Sequence, residues 1–306
     1  MVCGRRLVAP LLAAYVAFTH ASFVAIAQRG RGGAVTASAV GLTDAGARPL
    51  KQSELRVLDA QRYVVVPHWL SDEQTDRLQL DAIAVDASDS AFDCCVGSAN
   101  GGARLDHSVR RSRQCPFYPP PSNAAGCVAA RSSFIDDVKR LRVQLQASAT
   151  MALPYLEPFE TELNYLLYPV GGHYKRHLDI PRQQDAGWKL QGRTASEGGS
   201  FCGGRTRRVI SFILYLNRDW DHAHGGKLRV YAAHDHANGG LATAPAAHVE
   251  DVVPEGGTLV LLMSGDVEHM VRETRAERQC IVGWFNEYRQ ERVADQDTFG
   301  TRTRDK

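Results

Sequence analysis

No two cysteines in this chain are separated by just two residues, so the paired CxxC ligands of structural zinc sites are missing. Neither sign of charge dominates: 36 Lys and Arg stand against 34 Asp and Glu, leaving a formal net charge of +2. That balance excludes a general electrostatic grip on nucleic acid. An uninterrupted membrane span is missing too. The one apolar stretch that approaches the roughly 20 residues a spanning helix needs, Leu7 to Ala27, is broken by Thr19, His20 and Ser22. Acidic residues do not occur before Asp44.

The N-terminus reads as an address rather than as part of a fold. Arg5 and Arg6 precede the apolar run Leu7 to Phe18, and small-residue sites end at Ala21 and Ala27. This is the pattern of a secretory signal peptide over residues 1–27, with an uncleaved membrane anchor as the alternative. Residues 28–52, rich at first in Gly, Ala, Arg, Ser and Thr, read as a disordered linker or an organelle transit segment. The expected destination is the secretory pathway, meaning the endoplasmic reticulum lumen or the exterior, or an organelle reached through signal plus transit segment.

Beyond the leader, six cysteines remain: Cys94, Cys95, Cys115, Cys127, Cys202 and Cys280. An even number on a secretory route invites disulfides, and Cys115 with Cys127, bracketing the Pro-rich "PFYPPPSNAAG", is the first pair to expect. Zinc is the rival reading for Cys94 and Cys95, and Cys280 reads as a buried core thiol.

With 44% of 306 residues hydrophobic, the chain can bury one large core. Residues 53–160 read as a helical support region. "RYVVVPHWL" starts it as a strand, Ser71 with Gln74 forms a capping-box signature for a helix toward Ala84, and Phe134 to about Met151 has helical apolar spacing. Between Asp86 and Arg131 the chain reads as a loop, either a lid over substrate or a disulfide-fixed excursion.

The chemistry is concentrated after residue 160. In "GGHYKRHLDIP", an extended backbone sends alternate side chains to one face, so His177 and Asp179 can grip one ion. A second apolar run, "GGTLVLLMSGD", reads as a buried strand ending in a loop that carries His269. Two histidines and one carboxylate leave half an octahedron open, the arrangement of non-haem Fe(II) oxygenases. Arg278 opens the next run, "RQCIVGWFNE", on one face with Cys280, Val282 and Trp284. A guanidinium in such apolar company needs an anion, and a dicarboxylate ligand would fit its fork. Arg272 and Arg275 are nearby rivals for that role. His222 with His224, and His234 with His236, are rival metal pairs, although their Gly, Asp and Asn neighbours suggest solvated turns.

H-x-D, a later His, and Arg nine residues beyond it together resemble the 2-oxoglutarate and Fe(II)-dependent dioxygenases, in particular the prolyl 4-hydroxylase branch and its oxygen-sensing type. "YPVGGHYKRHLDIP", "RVISFILYLNRDWDHAHGGKLRVY" and "VPEGGTLVLLMSGDVEHMV" carry the resemblance, which covers about Thr161 to Glu287. It implies a mainly β fold with flanking helices, built on a double-stranded β-helix (jelly-roll, cupin-like) core over residues 161–290 and followed by a flexible tail, 291–306. It also implies roles: His177, Asp179 and His269 as iron ligands, Arg278 on the distal carboxylate of 2-oxoglutarate, Tyr215 donating a hydrogen bond to it, and Tyr168 lining the pocket. Fe(II), 2-oxoglutarate and O2 are the implied cofactors and co-substrates, with ascorbate as an accessory.

The reaction so implied is hydroxylation of a C–H bond coupled to decarboxylation of 2-oxoglutarate to succinate and CO2. Asp179 fills the position that related halogenases leave for halide. Peptidyl proline in a protein or peptide is the substrate that the resemblance favours. Another side chain, a small molecule, or an inert ligand-binding β-barrel are the alternatives. Partners are not expected to include nucleic acid, and a membrane only if the leader stays attached. The Gly-rich stretch Gln183 to Gly204 reads as a gate at the substrate entrance or a plain surface insertion. Val282 stands where the oxygen-sensing relatives carry threonine, so their oxygen kinetics do not transfer.

Overall fold

The computed structural model describes residues 46–88, 91–97, 103–117, 125–158, 161–180, 189–191, 204–231 and 249–290. In chain order these form α1 (Gln52–Gln61), β1 (Tyr63–Val66), α2 (Asp72–Ala87), β2 (Phe92–Asp93), β3 (Val96–Gly97), β4 (Ala103–Arg104), β5 (Arg110–Arg111), β6 (Arg113–Pro116) and α3 (Val128–Gln146). The barrel strands follow: β7 (Glu162–Tyr168), β8 (His173–His177), β9 (Lys189–Gln191), β10 (Gly204–Tyr215), β11 (Leu228–Tyr231), β12 (Val249–Val252), β13 (Leu259–Met263), β14 (Glu268–Val271) and β15 (Arg278–Gln290). A 3-10 turn, His222–His224, precedes β11.

Two main antiparallel sheets result, beside a separate β3-β4 pair. The larger runs β1-β13-β10-β15-β7-β6-β2 with β9 on β10, and the smaller runs β12-β11-β14-β8-β5. This is the expected double-stranded β-helix. Alternation along the long strands splits the interior into two cores. Ile210, Phe212 and Leu214 of β10, with Leu259 and Leu261 of β13, face the helices, where they meet Leu78, Phe134, Leu141 and Leu145. Ile213, Tyr215, Val260 and Leu262 face the smaller sheet and pack with Leu228, Val230 and Val271. Strand β13 is therefore buried on both faces, which is why "LVLLM" carries no polar alternation.

The helical layer departs from expectation at its ends. Ser71 caps α2 by accepting from the Gln74 N–H at 3.3 Å, but the Gln74 side chain meets the Ser71 hydroxyl rather than its backbone, so only half of the reciprocal box forms. Helix α3 starts at Val128 rather than Phe134 and stops at Gln146 rather than near Met151. Its start is set by Asp81 on α2: that buried carboxylate accepts from Cys127 N, accepts from the Tyr165 hydroxyl at 2.6 Å, and lies 3.3 Å from Arg131 Nε. Apolar periodicity carries no trace of such a long-range partner. The last residues assigned to the linker also join the fold, since Leu50 exchanges hydrogen bonds of 2.8 and 2.7 Å with Gln144 of α3.

Two expectations for residues 86–131 need correction. The segment is not a plain loop, because β5 pairs with β8 in the smaller sheet and β6 with β7 in the larger. Nor does a disulfide join Cys115 to Cys127. Cys115 is buried on β6, whereas Cys127 is an exposed free thiol at the start of α3. Strand pairing for one and helix capping for the other send the two side chains into different environments. Residues 1–45, the tail 291–306, Cys202, His234, His236 and most of Gln183–Gly204 lie outside the described residues.

Asp81→Ala would leave Arg131, only 3% exposed, without its countercharge. Urea unfolding of this variant is expected to show a loss of about 3–5 kcal/mol; a loss below about 1 kcal/mol would show that the network does not anchor α3 to the barrel.

Candidate active site

The smaller sheet builds the metal centre by register. His269 on β14 pairs directly with His177 on β8, and their rings lie 4.3 Å apart. A register shift in this pairing follows between His269 and Val271. Asp179, two residues past His177, completes the group: its Oδ1 is 3.6 Å from His177 Nε2 and its Oδ2 3.9 Å from His269 Nε2. Ligand atoms of all three lie within 4.8 Å of one another, the one such cluster among the described residues.

Each ligand is oriented from behind. The Nδ1 atoms of His177 and His269 lie 2.8 and 3.2 Å from the carbonyls of Lys175 and Val267, which leaves each Nε2 facing the centre. Asp179 Oδ2 accepts from the Ser211 hydroxyl and, at 3.0 Å, from Trp284 Nε1. Burial alone would raise the Asp179 pKa, but the neighbouring His269 and His177 and the hydrogen bond from Ser211 hold it well below the usual carboxylate range. Burial, then the charge of His177, pulls His269 down to about 4. An ionised carboxylate and a neutral imidazole are the forms that bind a metal.

Deeper in the cup lies Arg278, 1% exposed, whose Nε and Nη2 are buried without a hydrogen-bond partner among the described residues. Its Nη1 meets only the Cys280 thiol at 3.5 Å. The rings of Tyr168 and Tyr215 flank its guanidinium at 4.8 and 5.1 Å, and the buried Tyr215 hydroxyl is also unpartnered. Burial keeps both phenols protonated and so able to donate. An arginine left this way is costly to bury, and a carboxylate would satisfy it. The residues thus fit both groups that the donor set implies: a ferrous ion on the triad, and 2-oxoglutarate reaching from that ion to Arg278 and Tyr215.

The rivals among the described residues are resolved by position. Arg272 is exposed and pairs with Asp251 at 3.1 Å, and Arg275 is exposed. His222 and His224 sit in the 3-10 turn, where His224 Nδ1 accepts from the Asp221 N–H and its carbonyl from the Arg275 N–H. Cys94 is buried and Cys95 exposed, and neither joins a ligand cluster. Cys280 is buried in the second core as expected, where it also meets Arg278.

Three residues went unread in the sequence. Ser211 and Trp284 are the donors that hold Asp179. Arg110 is the third. Its β5 strand pairs it with Tyr174, its guanidinium stacks 4.6 Å over that ring, and Tyr174 in turn lies flat on His177 at 3.6 Å. Its Nε donates to Ser112 at 2.9 Å, and among the described residues no carboxylate forms an ion pair with it.

Comparison with known proteins agrees with this geometry. Residues 163–286 match the family model described as the 2OG-Fe(II) oxygenase superfamily. A prolyl-4-hydroxylase from Pseudomonas putida is similar in fold, with a TM-score of 0.55 at 23% identity over 77% of this chain and 98% of its own. A prolyl hydroxylase from Trichoplax adhaerens, solved in complex with a hypoxia inducible factor oxygen degradation domain peptide fragment, gives a TM-score of 0.56 at 16% identity over 76% of this chain and 86% of its own. The matched stretch, residues 163–286, holds the triad and the anion pocket of a 2-oxoglutarate- and Fe(II)-dependent oxygenase. In fold it is similar to prolyl hydroxylases of that superfamily.

Asp179→Ala is expected to abolish succinate formation from 2-oxoglutarate; turnover at the parental rate would remove the residue from the metal site. Replacing Arg278 by Ala removes a charge-assisted pair worth about 1.5–3 kcal/mol, so calorimetry should record a fall in 2-oxoglutarate affinity of roughly ten- to a hundred-fold. Unchanged affinity would assign the anion to another group.

Proposed function

We propose that this enzyme hydroxylates a peptidyl proline, consuming 2-oxoglutarate and O2 and releasing succinate and CO2, with ascorbate as an accessory reductant. The observation that carries the oxidative half is the orphaned Arg278 guanidinium beside a triad with open coordination. Iron held by His177, Asp179 and His269 would supply the activation of O2. Everything else falls to the chain's own residues. Arg278 and the protonated Tyr215 bind and orient the distal carboxylate of the co-substrate, while Tyr168, Val282 and Cys280 keep that end of the cup free of water.

The substrate half is supported by the wall beside the metal. Tyr174, against whose ring both His177 and the Arg110 guanidinium pack, forms an aromatic wall beside the metal. Arg110 adds terminal N–H groups, which would donate to a backbone carbonyl or a carboxylate of a bound peptide. The fold shared with a prolyl hydroxylase that was solved with a peptide supports the same reading. Passage through the secretory pathway is supported by Arg5, Arg6 and the apolar run after them.

Mass spectrometry of proline-containing peptides incubated with enzyme, Fe(II), 2-oxoglutarate and ascorbate is expected to show a gain of one oxygen on proline. A broad negative peptide screen, with decarboxylation active, would contradict the prolyl reading and favour a small molecule. Arg110→Ala is expected to raise the peptide KM while leaving 2-oxoglutarate affinity unchanged; the reverse pattern would place Arg110 in the co-substrate pocket instead.

A further inference from the structure

The Asp179 carboxylate has two oxygens near the metal centre, and its usefulness depends on how they are divided. Oδ2 carries both protein hydrogen bonds, from Ser211 and from Trp284, while Oδ1 faces His177 Nε2. Ser211 and Trp284 are direct partners across β10 and β15. Their donors differ in kind: a hydroxyl rotates to suit its partner, whereas an indole N–H points only where the plane of its ring points. The hydrogen bond from Trp284 is therefore as good as the fixation of its ring.

That ring is clamped. The Arg208 guanidinium stacks 3.6 Å over it, and the same guanidinium forms a two-pronged pair with Glu162, Nε to Oε1 at 3.1 Å and Nη2 to Oε2 at 2.7 Å. Glu162 on β7 is the register partner of Trp284 on the other side of β15. Three neighbouring strands thus give one row to holding a single indole. Strand alternation by itself would not put Arg208 there, because the face of Ser211 and Ile213 continues through Val209 to Arg207. A β-bulge between Arg208 and Ile210 shifts the count by one, so that Arg208 pairs with Asn286 on the face of Trp284 and Ser211. The planar, delocalised guanidinium suits both duties, stacking on an aromatic face and gripping a carboxylate with two N–H groups.

We propose that Arg208, clamped by Glu162, is a positioning residue for the metal centre: it fixes the Trp284 indole so that Nε1–H holds one Asp179 oxygen and leaves the other for the metal. This rests on the assignment of Asp179 as a ligand. Partners that orient metal ligands change metal affinity by about ten- to a hundred-fold when removed.

The test is Mn(II) binding by calorimetry to the metal-free full chain, with circular dichroism and thermal unfolding as checks on the fold. Arg208→Ala is expected to weaken Mn(II) by about ten-fold, and Arg208→Lys, which keeps a cation over the ring, to recover part of the loss. In a Trp284→Phe background, Arg208→Ala should cost less than two-fold, because the group it acts through is gone. Where Arg208→Ala does not fold, Glu162→Gln removes the clamp from the other side and is expected to weaken Mn(II) in the same direction. Wild-type affinity in Arg208→Ala, or a loss undiminished in the Trp284→Phe background, would overturn the proposal. Asp179→Ala is the control: if it binds Mn(II) like the wild type, the ligand assignment itself fails, whereas weak binding there beside normal binding in Arg208→Ala refutes only the positioning role.

Discussion

A single buried cation sets the terms for the rest of the molecule. Arg278 sits at the bottom of the cup without a carboxylate partner, between two tyrosine rings and a thiol. A fold tolerates such a group when a ligand brings the missing charge. The two-sheet barrel makes this possible. Its large sheet is buried on one face by helices and on the other by the small sheet, so β15 can carry a guanidinium into a dry interior while β8 and β14 deliver imidazoles nearer the rim.

The metal centre and the anion pocket are coupled through the strands they share. β15 contributes Arg278 and Cys280 at one end of its inward face and Trp284 toward the other, and β10 opposes these with Tyr215 and Ser211. One pair of antiparallel strands therefore carries both the unpartnered Arg278 with Tyr215 and, further along, the donors to Asp179. The spacing between the two sites is fixed by backbone hydrogen bonds rather than by flexible side chains.

What could be read from residues alone follows a physical divide. His177 and Asp179 are legible because the period-two rule acts over three residues, and β13 because a strand buried on both faces is apolar throughout. The burial of Arg278 is legible because its strand neighbours Cys280, Val282 and Trp284 share its face. Arg110 was not, since β5 is two residues long and has no periodicity to detect. Arg208 was not, since a β-bulge inverts the alternation that would have placed it. The start of α3 depends on Asp81, a residue far away in the chain.

The central claim is that one cavity holds ferrous iron and 2-oxoglutarate together, the iron on His177, Asp179 and His269 and the far carboxylate on Arg278. An anaerobic visible-absorption titration tests it most directly. A charge-transfer band should develop only when Fe(II) and 2-oxoglutarate are both present, saturate at one of each per chain, and fail to form with succinate, which lacks the keto oxygen. Saturable binding of both without any such band, or binding of 2-oxoglutarate that ignores the metal, would contradict the account.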